Sequence, residues 1–188
     1  MDLVSVIIPY YKKRNFIKDT IVSVINQSYV YLEILIIYDD TNLNDFEFIQ
    51  EISKLDNRIQ IINNNGRLGA GLSRNKGIER SNGKFIAFID ADDTWDPDKL
   101  KDQISFMKKR NYQISHTSYF IVNEKKKIIG QRKARDLMTV DEILTSCDIG
   151  LSTVVIEKKV ITKTTAKFPQ LVTKEDFVFW LTLLKKKY

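Results

Sequence analysis

The stretch Phe85–Asp93, FIAFIDADD, constrains the fold of this chain more than any other. Phe85, Ile86, Ala87, Phe88 and Ile89 run without polar interruption and break off at three carboxylates, Asp90, Asp92 and Asp93. A continuous apolar run of strand length, rich in aromatic and branched side chains, suits a strand buried on both faces, as in a parallel sheet covered by helices. In open α/β sheets ligands bind beyond the carboxyl ends of the strands, and Asp90, Ala91 and Asp92 fall there. Two acids one residue apart at such an end can hold a hard divalent cation and, through it, a diphosphate. The same residues also suit a solvated turn leading into a helix N-terminus. On this stretch alone both readings stand.

The rest of the chain repeats the pattern. Leu3–Ile8 is apolar and β-branched and is expected to be a first strand that Pro9 stops. Tyr10–Arg14 reads as a basic loop and Asn15 as a helix cap, with Phe16, Ile17, Ile21, Val24 and Ile25 at helical spacing. Leu32–Tyr38 is a second strand, and it too ends in acids, Asp39 and Asp40. Phe46–Leu55 has helical periodicity, Ile59–Ile62 reads as a third strand, and Asn63–Gly66 as a loop. Gly69, Ala70 and Gly71 precede a helix, LSRNKGIERS, which Gly83 closes before Phe85. This β-α alternation predicts a parallel, right-handed α/β sheet. Beyond the acidic stretch, Asp96 and Pro97 are expected to start a helix reaching about Arg110. Ile114–Val122 and Gly150–Ile156 read as strands, Ile128 and Ile129 as the start of a short one. Val140–Ser146 reads as a helix capped by Thr139, with Glu142 at the capping-box position, and Val160–Lys163 as a short helix or turn. An apolar helix follows Glu175 and Asp176, where two acids also suit a plain complement to the helix dipole.

Composition narrows the chemistry. In 188 residues there is one cysteine, Cys147, and one histidine, His116. A disulfide framework and a Cys- or His-cluster metal site are excluded, and a reducing compartment is expected. His116 reads as structural or exposed. No apolar run approaches the ~20 residues that span a bilayer, and no leader peptide is visible at the N-terminus. The formal net charge is +6, with basic clusters at Lys108–Arg110, Lys125–Lys127, Arg132–Arg135 and Lys185–Lys187. These read as solvated surface, or as attraction to an anionic partner such as a membrane face. Nucleic acid is not expected, because aromatic-interleaved basic patches and zinc-finger spacings are missing.

Three acidic pairs stand out: Asp39/Asp40, Asp90/Asp92 and Glu175/Asp176. Two share strand-end geometry, so they are expected to face one crevice. With VSVIIPYYKK at the start, IIYDD, GAGLSRNKGIERSNGKFIAFIDADD in the middle and KEDFVFWLTLL near the end, the chain resembles the family 2 glycosyltransferases. These are inverting enzymes of the GT-A fold, a Rossmann-like three-layer α/β/α sandwich with a mostly parallel central sheet. The resemblance implies one domain over residues 1–188, with a nucleotide-binding part over about 1–98 and a short acceptor-side part over about 99–188. Family members usually continue further past the acidic pair, and they commonly carry Gly-Ser where Thr41 and Asn42 stand here.

The resemblance also implies roles. Pro9 and Tyr11 correspond to the strand exit that packs on the nucleotide base. Asp40 matches the acid that hydrogen-bonds a uracil ring, with Asp39 its neighbour and substitute. Asp90 and Asp92 match the D-x-D pair, Asp90 facing the ribose or the metal shell and Asp92 coordinating the metal on the diphosphate. Arg74 lies on the helix bordering the nucleotide. Asp176 matches the catalytic base, with Glu175 as its alternative. Mn²⁺ or Mg²⁺ is the implied cofactor, and both take oxygen ligands. The implied partners are a nucleotide-sugar donor, UDP-linked by analogy, and a saccharide or glycolipid acceptor in surface polysaccharide assembly. A cytoplasmic enzyme, peripheral at the inner membrane face, is the expected setting. Two other readings remain. One is a nucleotide-sugar binding module without catalysis. The other is a nucleotidyltransferase, which calls for a glycine-rich triphosphate loop where Pro9–Arg14 holds no glycine.

Overall fold

The computed structural model describes residues 1–135, 140–145, 147 and 149–185. Four parallel strands form its centre: β1 (Val4–Tyr10), β2 (Leu32–Tyr38), β3 (Ile59–Asn63) and β4 (Phe85–Phe88). Helices α1 (Ile17–Ile25), α2 (Leu43–Ser53) and α3 (Ala70–Arg80) connect them. α4 (Lys99–Arg110) leads to the two-residue strand β5 (Ile114–Ser115) and then to a separate hairpin, β6 (Tyr119–Val122) and β7 (Ile128–Arg132). After α5 (Val140–Thr145) and a 3-10 turn at Leu151–Thr153, β8 (Val155–Glu157) returns antiparallel to β4. α6 (Lys158–Thr164) and α7 (Glu175–Lys185) follow. The six-stranded sheet has the order β3-β2-β1-β4-β8-β5.

The sheet is covered on both faces, which is why β1, β2 and β4 read as unbroken apolar runs. On one face Val4, Val6, Ile8, Ile34, Ile36, Phe85 and Ala87 pack with Ile17, Ile21 and Val24 of α1, Ile49 of α2 and Leu100, Ile104 and Met107 of α4. On the other, Ile7, Leu35, Ile37, Ile86 and Phe88 meet Val160 and Ile161 of α6, Phe168, and Phe179, Trp180 and Leu183 of α7. Ile78 of α3 packs against that second layer.

Several local expectations are corrected. β1 runs through Pro9 to Tyr10, with Pro9 in register with Ile37. Ile7 accepts the Ile89 N–H through its carbonyl on the β4 side, and Pro9, two residues on, faces the same side. Pairing with β4 has ended there, at Ile7↔Phe88, so the missing N–H breaks no ladder bond. α1 starts at Ile17 after Phe16, without a side-chain cap, so Asn15 is not its cap. α2 starts earlier than its apolar pattern, because the Asn42 side chain accepts the Asp45 N–H at 3.2 Å. α4 starts at Lys99, and Pro97 lies outside it. Asp96 acts one turn earlier, its carboxylate accepting the Asp98 N–H at 3.0 Å. Ile114–Val122 splits into β5 and β6, and Gly150–Ile156 into the 3-10 turn and β8. Val160–Lys163 lies inside the helix α6. Thr139 and Ser146 lie outside the described residues, as do the side chains of Lys185–Lys187.

At the amino ends of the parallel strands a buried carboxylate gathers the chain. Glu33 accepts from the Ser5 hydroxyl at 2.5 Å, from the Asn82 N–H at 2.6 Å and from the Asn82 amide at 3.1 Å. The Gly83 N–H donates to Ser5 Oγ at 2.8 Å, and a Cβ on Gly83 would lie 2.6 Å from the Ser5 nitrogen. Burial alone would raise the Glu33 carboxyl. The hydrogen bonds from Ser5, Asn82 and Gly83 outweigh it and hold the group below the ordinary glutamate range. Its contribution to stability is therefore present above the unfolded pKa and lost as pH falls through the lowered folded value. Glu33→Gln, which removes one acceptor from three convergent donors, is expected to lower stability by about 1–3 kcal/mol at neutral pH. Urea unfolding at several pH values checks this: the wild-type advantage should shrink on acidification.

Candidate active site

The site is built where β1, β2 and β4 end. Asp90 and Asp92 follow β4 in a tight turn closed by the Asp93 N–H donating to the Asp90 carbonyl at 3.0 Å. The turn is held from outside by Ser152, in the 3-10 turn before β8. Its hydroxyl accepts the Asp90 N–H at 3.0 Å and donates to Asp93 Oδ2 at 2.5 Å, while its carbonyl accepts the Trp95 indole N–H at 2.7 Å. Burial pushes the Asp93 carboxyl above the ordinary aspartate range; the Ser152 hydroxyl opposes the rise, and the charges of Asp90 and Asp92 add to it. Asp92 points outward and pairs with Lys13 Nζ at 2.7 Å.

Arg74 joins this turn to the far end of the chain. The guanidinium is buried and donates to Asp90 Oδ1 and to Glu175 Oε1, each at 2.8 Å. Glu175 opens α7, so one cation holds two carboxylates from segments 85 residues apart in a single cluster. The sequence GAGLSRN around it now has a physical account. Gly69, at φ +90°, turns the chain so that its N–H reaches Asp39. A Cβ on Gly71 would lie 2.8 Å from the Pro169 carbonyl oxygen, so only glycine admits that loop. Asn75 clamps the loop, donating to the Phe168 carbonyl at 2.8 Å and accepting its N–H at 2.9 Å. A Cβ on Gly77 would lie 2.5 Å from Ile7 Cγ2, which seats α3 tightly on β1.

Neighbouring acids of β2 part company. Asp39 accepts the Leu68 N–H at 2.7 Å, the Gly69 N–H at 2.8 Å and the Asn64 amide at 2.8 Å, and so pins the 64–69 loop. Asp40 Oδ1 accepts the Thr41 N–H at 2.7 Å, whereas its Oδ2 is buried without a hydrogen-bond partner among the described residues. Pro9 ends the apolar part of β1, and Tyr11 just beyond it carries the Arg67 guanidinium 4.4 Å from its ring centre. Asp176 stands beside Glu175 in the first turn of α7 but does not join Arg74; its Oδ1 accepts the adjacent Phe177 N–H at 2.8 Å. Lys13, Arg67 and Ser152 were not expected at the site. Lys13 lies in a basic loop the sequence does show; Ser152 has no local signature.

Residues 5–167 match the family described as Glycosyl transferase family 2. The chain belongs to that family. It is 35% identical over 187 residues to TuaG of Bacillus subtilis (strain 168), whose name assigns it to teichuronic acid biosynthesis as a glycosyltransferase; 99% of this chain and 73% of that protein are covered. It is 37% identical over 183 residues to WfgD of Escherichia coli, named a UDP-Glc:alpha-D-GlcNAc-diphosphoundecaprenol beta-1,3-glucosyltransferase, covering 97% of this chain and 70% of that protein. The crystal structure of Staphylococcus aureus TarS 1-349 in complex with UDP-GlcNAc superposes with a TM-score of 0.76 at 20% identity, over 98% of this chain and 53% of that one. The chain thus spans about half the length of that solved structure, and the likeness carries the fold: GT-A, as the resemblance implied. No helix among the described residues is long and apolar enough to cross a membrane.

Removing the guanidinium leaves Asp90 and Glu175 facing each other with nothing between. Arg74→Met is expected to cost about 2 kcal/mol, below the ~3–5 kcal/mol of a fully buried pair, because the Asp90 side chain is 39% exposed. Urea unfolding of the purified variant measures it.

Proposed function

We propose that this chain is a metal-dependent, inverting glycosyltransferase that takes its sugar from a UDP-linked donor. The acceptor is a saccharide or a glycolipid in surface polysaccharide assembly. The observation that carries the reading is the Arg74 bridge, which draws the Asp90–Asp92 strand end and the Glu175–Asp176 helix start into one cluster. Membership of the family supports it, as do TarS, solved with UDP and with UDP-GlcNAc, and the diphosphoundecaprenol acceptor in the name of WfgD.

The residues fit a nucleotide diphosphate. Tyr11 and Pro9 offer a flat wall to the base. The unsatisfied Asp40 Oδ2 offers an acceptor to a ring N–H such as that of uracil, since a buried acceptor without a partner costs free energy that such a donor relieves. Asp39 is committed to its loop and is the weaker candidate. Among the described residues no group of three or more His, Cys, Asp or Glu gathers to make a closed metal cage. Two carboxylates with open surroundings match the way Mg²⁺ or Mn²⁺ is held jointly by protein and substrate phosphates, and Mn²⁺ accompanies GDP-Man in the neighbouring Pyrobaculum calidifontis mannosyltransferase structure. Asp92 and Asp90 would hold such an ion, which supplies neutralisation of the charge on the departing diphosphate. Lys13, paired with Asp92 at 2.7 Å, would offer its ammonium to the same phosphates.

Glu175 is engaged by Arg74, which supports Asp176 as the base. Its carboxylate takes the proton of the acceptor hydroxyl as the oxygen forms its bond to the anomeric carbon. The bond from that carbon to the diphosphate breaks on the opposite face, UDP leaves, and the configuration inverts.

Two substitutions separate binding from chemistry. Calorimetric titration with UDP is expected to show Mn²⁺-dependent binding that Asp92→Asn abolishes. Asp176→Asn is expected to bind UDP within about threefold of wild type yet to transfer sugar ~10²–10⁴-fold more slowly. Metal-independent binding would overturn the diphosphate assignment. Unchanged transfer in Asp176→Asn would overturn the base.

A further inference from the structure

We propose that the β6–β7 hairpin is the element by which this chain docks on an anionic lipid bilayer, with its active site turned toward that surface. Among the described residues the two strands pair only with each other and add nothing to the central sheet. Phe120 and Val122 lie on one face of the ladder, Val122 paired with Ile128, and a bulge at Ile121/Val122 displaces Ile129. These four side chains are 60, 54, 57 and 64% exposed. An isolated two-stranded hairpin gains little stability from residues it leaves in water, and a contiguous exposed apolar surface of this kind marks a contact.

The charge around it identifies what it contacts. The turn at the tip carries Lys125, Lys126 and Lys127, and β7 ends in Arg132 followed by Lys133; Glu124 is the one acid between Tyr119 and Lys133. Lys126 pairs with Asp19 at 2.7 Å. Lys125, Lys127, Arg132 and Lys133 form no ion pair with a described residue. Apolar side chains fringed by lysine and arginine match a surface that is anionic outside and hydrocarbon within.

The anchoring points orient the hairpin. The Lys126–Asp19 pair reaches the first turn of α1, which leaves the carboxyl end of β1 through the same connection that carries Lys13. At its base, Tyr119 lies so close to Gly150 that a Cβ there would sit 3.1 Å from the ring, two residues before Ser152, which braces Asp90 and Asp93. The hairpin therefore flanks the end of the sheet where the candidate site lies. A lipid-linked acceptor presented at a bilayer would meet that end first; in this the proposal rests on the glycolipid reading above.

The test is flotation of the purified chain with vesicles of phosphatidylglycerol and phosphatidylcholine, against phosphatidylcholine alone. Wild type is expected to float with the anionic vesicles only, less at high salt. Lys125→Glu with Lys127→Glu should weaken partitioning at least about 25-fold, about fivefold per basic residue. Phe120→Ser with Ile129→Ser should weaken it at least about tenfold. Lys84→Glu with Lys163→Glu makes the same charge change where α6 meets the amino end of β4, and should stay within about threefold of wild type. The proposal is overturned if wild type does not float, if the Lys84/Lys163 pair weakens binding as much as the tip pair, or if the apolar pair has no effect. A wild-type dimer in sedimentation that Phe120→Ser with Ile129→Ser dissociates would overturn it in favour of a second copy. UDP titration of the same proteins keeps the two readings apart. Hairpin variants should bind UDP as wild type does, and a wild type that floats without binding UDP would fail the functional reading and leave the docking surface standing.

Discussion

A buried guanidinium shared by two carboxylates organises this molecule. Arg74 is sunk in α3, where its charge would be costly without partners, and it takes one oxygen from Asp90 and one from Glu175. The arrangement only works if α3 lies close to β1 and admits the loop before α7, and Gly77 and Gly71 are the residues that permit both approaches. Phe168 stacks on Phe179 with ring centres 4.0 Å apart and meets Phe88 edge-on at 5.5 Å, so the same loop that passes Gly71 also knits α7 to β4. The acids and the aromatic layer behind them are consequences of one packing solution.

Around that centre, residues that look equivalent in sequence do different work. Asp39 and Asp40 are adjacent, yet one is saturated by three donors from the 64–69 loop and the other keeps a buried oxygen unmatched. Glu175 and Asp176 divide in the same way, one locked to Arg74 and one outside that ion pair. Asp93, held by Ser152, plays the supporting part for Asp90 and Asp92.

The parallel half of the fold was legible because its strands are buried on both faces and their helices on one. Periodicity reports both facts directly. β1 outran its expected end because Pro9 sits where β4 no longer pairs, and no local rule records where a neighbouring strand stops. Gly150–Ile156 was read as strand throughout, although tertiary contacts wind Leu151–Thr153 into a 3-10 turn that carries Ser152 to Asp90. The acids themselves were visible as strand-end and helix-start pairs. Which acid of each pair is drawn into a loop or an ion pair was not, because that depends on partners such as Arg74, 101 residues from Glu175. Lys13 and Arg67 gave no signal beyond positive charge, since only the folded loops bring them to Asp92 and Tyr11.

The span of the Arg74 bridge has a consequence for how the protein comes into being. During synthesis the chain through α4 emerges with β1 to β4 able to pair, and Arg74 already has Asp90 within reach. Its second carboxylate, 101 residues further along, and the Phe168 and Phe179 rings beneath it arrive only with the segment that carries α6 and α7. Until then one face of the sheet, including Ile7, Ile86 and Phe88, lacks the α6 and α7 side chains that cover it. The cluster at the strand ends is therefore completed in the same event that seals the core, so a nascent or C-terminally clipped chain exposes apolar surface before it can carry an assembled site.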